Sequence, residues 1–145
     1  MIKIICLGKI KESYLNDLIN DYLKRISKYH KIEIIELKDT ENLGDEAINI
    51  MKNIDNRDYV IACTPEGSQI DSVELSTLID KTFITNPTIT FVIGSSTGID
   101  DSVKKRADLL LSFSKLTYPH GLFRGILLEQ IYRSFKIINN ESYHK

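Results

Sequence analysis

The chain has 145 residues, of which 42% are hydrophobic and 27% charged, a length and balance suited to a single compact domain spanning 1–145 rather than to a two-domain enzyme. A formal net charge of -1 argues against a protein that holds nucleic acid through bulk positive charge. No run approaches the roughly 20 apolar residues of a membrane span, and no signal peptide pattern precedes a small-residue cleavage site, so a cytoplasmic protein with no membrane partner is expected.

Taken in chain order, the apolar residues alternate between two periods. Ile2 to Leu7 is a continuous β-type run, and Tyr14, Leu15, Leu18, Ile19, Tyr22, Leu23 and Ile26 then recur at helical spacing. The order repeats: a strand at Ile32 to Leu37, a helix around Glu46 to Ile54, a strand at Tyr59 to Cys63, and a helix from Ser72 to Phe83 that Asp71 or Ser72 caps. A strand at Thr88 to Ile93, a short helix at Asp101 to Ala107, a strand at Leu109 to Phe113 and a long helix from Pro119 to Ile138 complete the chain. This alternation predicts an α/β fold: a mostly parallel sheet of five to six strands with helices on both faces. No repeat, low-complexity tract or linker interrupts it.

The last predicted helix is apolar around more than half its circumference, from Leu122 and Phe123 through Leu127, Leu128, Ile131 and Phe135 to Ile138. Either it is sunk deep in its own domain or its far side meets a second copy in a two-fold dimer; a homodimer is the expectation. Cys6 and Cys63 lie far apart in apolar stretches without a C-x-x-C, so reduced thiols are expected and neither a disulfide nor a metal site is indicated.

Ligands of parallel α/β sheets collect at the carboxyl ends of the strands. Three segments occupy such positions: Thr64-Pro65-Glu66-Gly67, Gly94-Ser95-Ser96-Thr97-Gly98, and Ser112 to His120. The second satisfies G-x-S-x-G with Ser96 at the nucleophile position, and Asp100, Asp101 or Asp108 with His120 or His144 supply acids and bases for a hydrolase. The chain is short for that fold, and five common residues are a weak pattern. A phosphate-binding reading is weaker still, because neither G-x-G-x-x-G nor G-K-[ST] is present. A tight turn that needs glycine for its backbone is the simplest reading of this segment.

The segment Leu111-Ser112-Phe113-Ser114-Lys115-Leu116-Thr117-Tyr118-Pro119-His120, followed by Arg124, Leu128 to Arg133 and the terminal Tyr143-His144-Lys145, resembles the bacterial large-subunit rRNA pseudouridine N3-methyltransferases of the SPOUT class. The resemblance extends through Ile4 to Lys9 and Phe91 to Gly98. It implies a C-terminal trefoil knot, a homodimer, S-adenosylmethionine as methyl donor, and N3 of a pseudouridine in 23S rRNA, free or in the assembled ribosome, as acceptor. By the same resemblance Cys63, Gly94, Phe113, Ser114, Lys115, Leu116, Thr117 and Tyr118 form the cofactor site. Arg124 and His144 are the candidates for stabilising the developing imide anion and taking the proton, and Tyr143 for stacking on the base. The chain departs from the family pattern at Cys63, usually leucine, at Ser95, where many relatives carry glycine, and at Gly121. A non-catalytic dimeric ribosome-binding protein is the remaining alternative.

Charge is unevenly spread. Residues 101–145 hold 8 Lys+Arg against 4 Asp+Glu, a formal +4, whereas residues 1–100 hold 11 against 16, a formal -5. Near-neutrality therefore conceals a basic C-terminal third, where a local RNA contact is expected.

Overall fold

The computed structural model describes residues 1–145. Ten elements follow one another: β1 (Ile2–Leu7), α1 (Ser13–Ile26), β2 (Ile32–Leu37), α2 (Leu43–Met51), β3 (Asp58–Gln69), α3 (Ser72–Thr85), β4 (Thr88–Ile93), α4 (Asp101–Arg106), β5 (Leu109–Ser112) and α5 (His120–Ile138). The five strands form one sheet in the order β2-β1-β4-β3-β5, every neighbouring pair parallel.

Handedness follows from this order. Crossovers β1 to β2 and β3 to β4 run one way across the sheet and carry α1 and α3; β2 to β3 and β4 to β5 run the other way and carry α2 and α4. A uniform crossover hand therefore places the two pairs of helices on opposite faces. The core divides accordingly. Ile4, Ile61, Phe91, Ile79 and Leu128 belong to the cluster under α1, α3 and α5, while Ile5, Val60, Val92, Ala47 and Val103 form the smaller cluster under α2 and α4.

Helix α5 lies against both α1 and α3, and Leu127, Leu128, Ile131 and Phe135 are buried between them and the sheet. Its own domain thus absorbs most of the apolar circumference that the sequence presents. Leu122 stays exposed on α5, as do Leu116 and Tyr118 just before the helix and Tyr14 on α1.

Most boundaries agree with the sequence expectation to within one or two residues, and three differences bear on the architecture. Asn42 caps α2 by accepting from the Asp45 N–H, which starts that helix at Leu43 and ends it at Met51. Strand β5 stops at Ser112, short of Phe113. The largest difference is in β3, which runs on to Gln69 where a loop from Thr64 was expected. Leu111 pairs with both Cys63 and Ser68, so the four intervening residues arch over β5 before pairing resumes. Gly67 makes that arch feasible: a Cβ there would sit 2.6 Å from the Leu110 carbonyl carbon and oxygen.

Candidate functional site

All five strands point the same way, so their carboxyl ends share one edge of the sheet. At this edge β3, β4 and β5 deliver three segments that close around a cavity of about 340 Å³, within the range of roughly 300–1,000 Å³ typical of small-molecule sites. Cys63, Thr64 and Pro65 come from β3, Ile93 to Ser96 with Gly98 and Ile99 from the end of β4, and Leu111, Phe113, Ser114 and Leu116 to His120 from the end of β5. Phe123, one turn into α5, completes it.

Each wall has a local cause. After Ile93 the chain doubles back in a four-residue turn: the Gly98 N–H donates to the Ser95 carbonyl at 2.9 Å, with Gly98 at φ +96. Gly94 lies under this turn, where a Cβ would be 2.5 Å from the Gly98 carbonyl oxygen and 2.6 Å from Ile99 Cγ1. The segment after β5 is tied to itself. Ser112 Oγ donates to the Ser114 carbonyl at 3.0 Å, the Leu116 N–H donates to Ser114 Oγ at 3.0 Å, and Ser114 Oγ meets the Tyr118 hydroxyl at 2.9 Å. Phe113 packs edge-on against Phe123 with centroids 5.0 Å apart, and Tyr118 lies 5.9 Å from the same ring. Three aromatic rings are thereby gathered on one side of the cavity.

The cavity is weakly polar. Burial pushes the Cys63 thiol up to about 12, so it acts as a neutral apolar wall. His120 is held below its ordinary value by burial first and by the nearby Arg124 charge second, against an opposing pull from Asp39; its imidazole is neutral at neutral pH. At the rim, Lys104 Nζ donates to Glu66 Oε1 at 2.5 Å, and that bond is the main reason the Glu66 carboxyl is drawn down to about 2.

Of the residues assigned from sequence to the cofactor site, Cys63, Gly94, Phe113, Ser114, Leu116, Thr117 and Tyr118 line this one cavity, and Lys115 does not. Lys115 is exposed on the same segment. The three residues assigned to catalysis lie outside it. Arg124 is buried and ion-paired with Glu36 at 2.5 Å, with a second bond from Nη2 to the Gly8 carbonyl at 3.2 Å. Tyr143 and His144 fold back on the second half of α5. The Tyr143 hydroxyl donates to Glu129 Oε1 at 3.3 Å, its ring stands edge-on to Tyr132 at 5.0 Å, and His144 Nδ1 lies 3.1 Å from Arg133 Nη1. Eleven further residues line the cavity without being assigned to the cofactor site from sequence, among them Ile99, Phe123 and His120; the first two lie in a turn and a helix whose apolar residues read as core.

Ser96 lines the cavity, but the hydroxyl held by a carboxylate is that of its neighbour Ser95, which donates to Glu46 Oε1 at 3.0 Å. Four residues lie between Ser96 and the start of α4 at Asp101, so the sharp strand-to-helix turn of a nucleophile elbow is absent. The hydrolase alternative is not favoured.

The sequence model of the family described as "Predicted SPOUT methyltransferase" matches residues 1–144. The chain belongs to the SPOUT methyltransferase family. Among curated proteins this SPOUT methyltransferase is similar to the Ribosomal RNA large subunit methyltransferase H of Caldicellulosiruptor saccharolyticus, 46% identical with 100% of both chains covered. It is likewise similar to the protein of that name from Streptococcus pyogenes, 45% identical with 99% of both covered. Among solved structures, a probable methylase family protein from Haemophilus influenzae superposes with a TM-score of 0.53 at 15% identity, covering 99% of this chain and 70% of the other. The SpoU methyltransferase AviRb from Streptomyces viridochromogenes gives 0.52 at 9% identity, covering 98% of this chain but only 62% of its own. At these identities the likeness is one of fold. No helix of the SPOUT methyltransferase is long and apolar enough to cross a membrane.

SPOUT methyltransferases take their methyl group from S-adenosylmethionine, and the cavity suits that molecule. It has apolar walls for an adenine, backbone polar groups at three strand ends, aromatic faces for a cation, and a glycine, Gly94, on which no side chain would fit.

Proposed function

We propose that this SPOUT methyltransferase transfers a methyl group from S-adenosylmethionine to N3 of a pseudouridine in the 23S rRNA of the large ribosomal subunit, acting as a cytoplasmic homodimer. One observation carries the reading: the segment Phe113 to Tyr118, which lies within the most specific part of the resemblance (Leu111 to Lys145), forms, through every residue but Lys115, a wall of a ligand-sized cavity at the carboxyl edge of the sheet. The full-length relatives named for large-subunit rRNA methylation support the acceptor.

When bound, S-adenosylmethionine supplies an electrophilic methyl on a sulfonium sulfur, whose transfer to nitrogen is an in-line displacement. The chain's own residues then have to orient, shield and move a proton. Ile93, Ile99 and Leu111 supply apolar walls, and Phe113, Tyr118 and Phe123 offer ring faces that stabilise positive charge once water is excluded. Holding acceptor and donor in line is worth several kcal/mol of barrier. The N3 proton must leave as the N–C bond forms; His144 remains the proposed acceptor, with Tyr143 stacking on the base. Arg124, paired with Glu36 and Gly8, supports the β1 end of the edge rather than reaching an acceptor directly.

The position of the tail supports a dimer. Tyr143 and His144 contact Glu129, Tyr132 and Arg133, roughly 9–15 Å along α5 from Phe123 at 1.5 Å per residue, so a tail donated by a second copy would complete the site. Exposed Tyr14, Leu116, Tyr118 and Leu122 lie on or beside helices that meet where Leu18 packs on Gly125, and form the surface such a copy would cover. The expected trefoil knot belongs to the same proposal, supported by the arch of residues 64–67 over β5.

Calorimetry with S-adenosylmethionine, followed by methyl incorporation into ribosomes lacking the modification, tests the proposal. Binding with transfer to pseudouridine N3 is expected; no binding and no transfer would overturn it. Ribosome binding with no cofactor binding would instead favour the non-catalytic ribosome-binding reading.

A further inference from the structure

Glu46 lies in the first turn of α2 and is 1% exposed, yet it has no cation within ion-pair distance. A buried carboxylate without a counter-charge is costly unless its oxygens are hydrogen-bonded. Both are. Oε1 accepts from the Ser95 hydroxyl at 3.0 Å and Oε2 from the Thr40 N–H at 3.2 Å. Thr40 belongs to the connection after β2, Ser95 to the turn after β4, so one side chain joins two loops of the carboxyl edge.

A carboxylate only accepts, and this fixes the direction of every bond behind it. Ser95 spends its single proton on Glu46, so the Thr97 hydroxyl, 2.7 Å away, donates to Ser95 Oγ, and the Thr97 N–H approaches the same oxygen at 3.4 Å. Side chain and backbone of the turn are thus oriented from behind. Ser95, Ser96 and Gly98 line the cavity, whereas Glu46 does not.

We infer that Glu46 is a positioning residue for methyl-donor binding, acting through the Ser95 hydroxyl to hold the Gly94–Gly98 turn in its binding geometry. The inference rests on the reading that this cavity takes S-adenosylmethionine. An apolar residue of similar volume would fill the site without the cost of desolvating a charge, so the carboxylate acts through the geometry it imposes on the turn.

The experiment measures S-adenosylhomocysteine binding by calorimetry and steady-state kinetics for the wild type, S95A, E46Q and the double variant. An amide that still accepts from the Thr40 N–H turns its N–H donor toward Ser95 Oγ, so E46Q reverses the Ser95 hydroxyl and with it the order of hydrogen bonds in the turn. S95A removes a single loop hydroxyl and leaves the α2 packing intact, which keeps the test readable should E46Q fail to fold. Each single variant is expected to raise Kd about three- to tenfold, with the double variant no more than about twofold weaker than the worse single, because the two side chains act as one unit. The kinetic loss is expected in KM for the methyl donor rather than in kcat, a split that general loosening of the fold would not produce. Wild-type binding with unchanged Kd in the variants, or losses that multiply in the double variant, would overturn the inference alone. Absence of wild-type binding would overturn the cavity reading and the inference with it.

Discussion

Arg124 Nη1 donates to Glu36 Oε2 at 2.5 Å, joining the first turns of α5 to the end of β2 across 88 positions of sequence. The two partners are not equivalent. The arginine side chain is 4% exposed and the glutamate 38%, and Arg124 Nε has no hydrogen-bond partner. Removing the glutamate therefore strands a buried charge, whereas removing the arginine leaves a carboxylate that water can reach. Glu36→Ala is expected to cost about 3 kcal/mol and Arg124→Met about 1–2 kcal/mol of stability. Urea denaturation of both variants checks the order; equal losses would refute the asymmetry.

The cavity wall at Gly94 has no space for a methyl group. A Cβ at 2.5 Å from the Gly98 carbonyl oxygen must displace backbone, which is less adaptable than a side chain. Gly94→Ala is expected to raise the methyl-donor Kd by about tenfold or more and to destabilise by about 1–3 kcal/mol. Titration calorimetry alongside thermal melting measures both, and unaltered affinity would show that the turn does not shape the site.

Stability should fall in mild acid. His30 stacks on Phe83 at 4.3 Å, and burial, foremost, holds it below its ordinary 6.5; His120 is shifted the same way, first by burial. With folded values below the unfolded one, the unfolded chain binds more protons as the pH drops. The contribution is complete above about pH 6.5 and is lost as pH falls through the folded values. His30→Phe keeps the ring packing and removes one titration, so its melting temperature should vary less between pH 7.5 and 5 than that of the wild type. An identical pH profile would count against this assignment.

The basic C-terminal third is mostly neutralised in the folded chain. Arg124, Arg133, Lys104, Arg106 and Lys136 each have a carboxylate partner, whereas Lys115 is exposed beside the cavity and has none. If it meets a phosphate, Lys115→Ala should weaken ribosome binding and lower the log–log salt slope by about one. Filter binding at several ionic strengths reads this directly, and an unchanged slope would remove Lys115 from the RNA contact.

Deletion of Tyr143 to Lys145 separates donor binding from turnover. The tail contacts α5 and not the cavity of its own chain, so methyl-donor affinity should stay within about twofold while methylation of ribosomes is lost. Retained turnover would show that the tail is only a packed terminus.

Local rules carried most of the architecture. Isoleucine-rich runs such as Ile2 to Leu7 mark strands buried on both faces, and helical spacing marks α1 and α5, because side-chain period depends on backbone geometry alone. The strand-end segments of the cavity were legible for the same reason, since a parallel sheet sends its loops to one edge. The pattern from Leu111 to Lys145 was specific enough to imply the family before any geometry was known. Other features had no local signal. The arch of β3 over β5 depends on Leu111 pairing twice, and the packing of α5 between α1 and α3 depends on where two other crossovers land. Arg124 reads as a free cation beside the site until Glu36, 88 residues away, is brought against it. Glu46 reads as a solvated helix residue until Ser95 arrives from across the sheet. Such pairings form only when distant segments share a buried volume, where an unpartnered polar group is costly and the partner is dictated by packing rather than by neighbours in the chain.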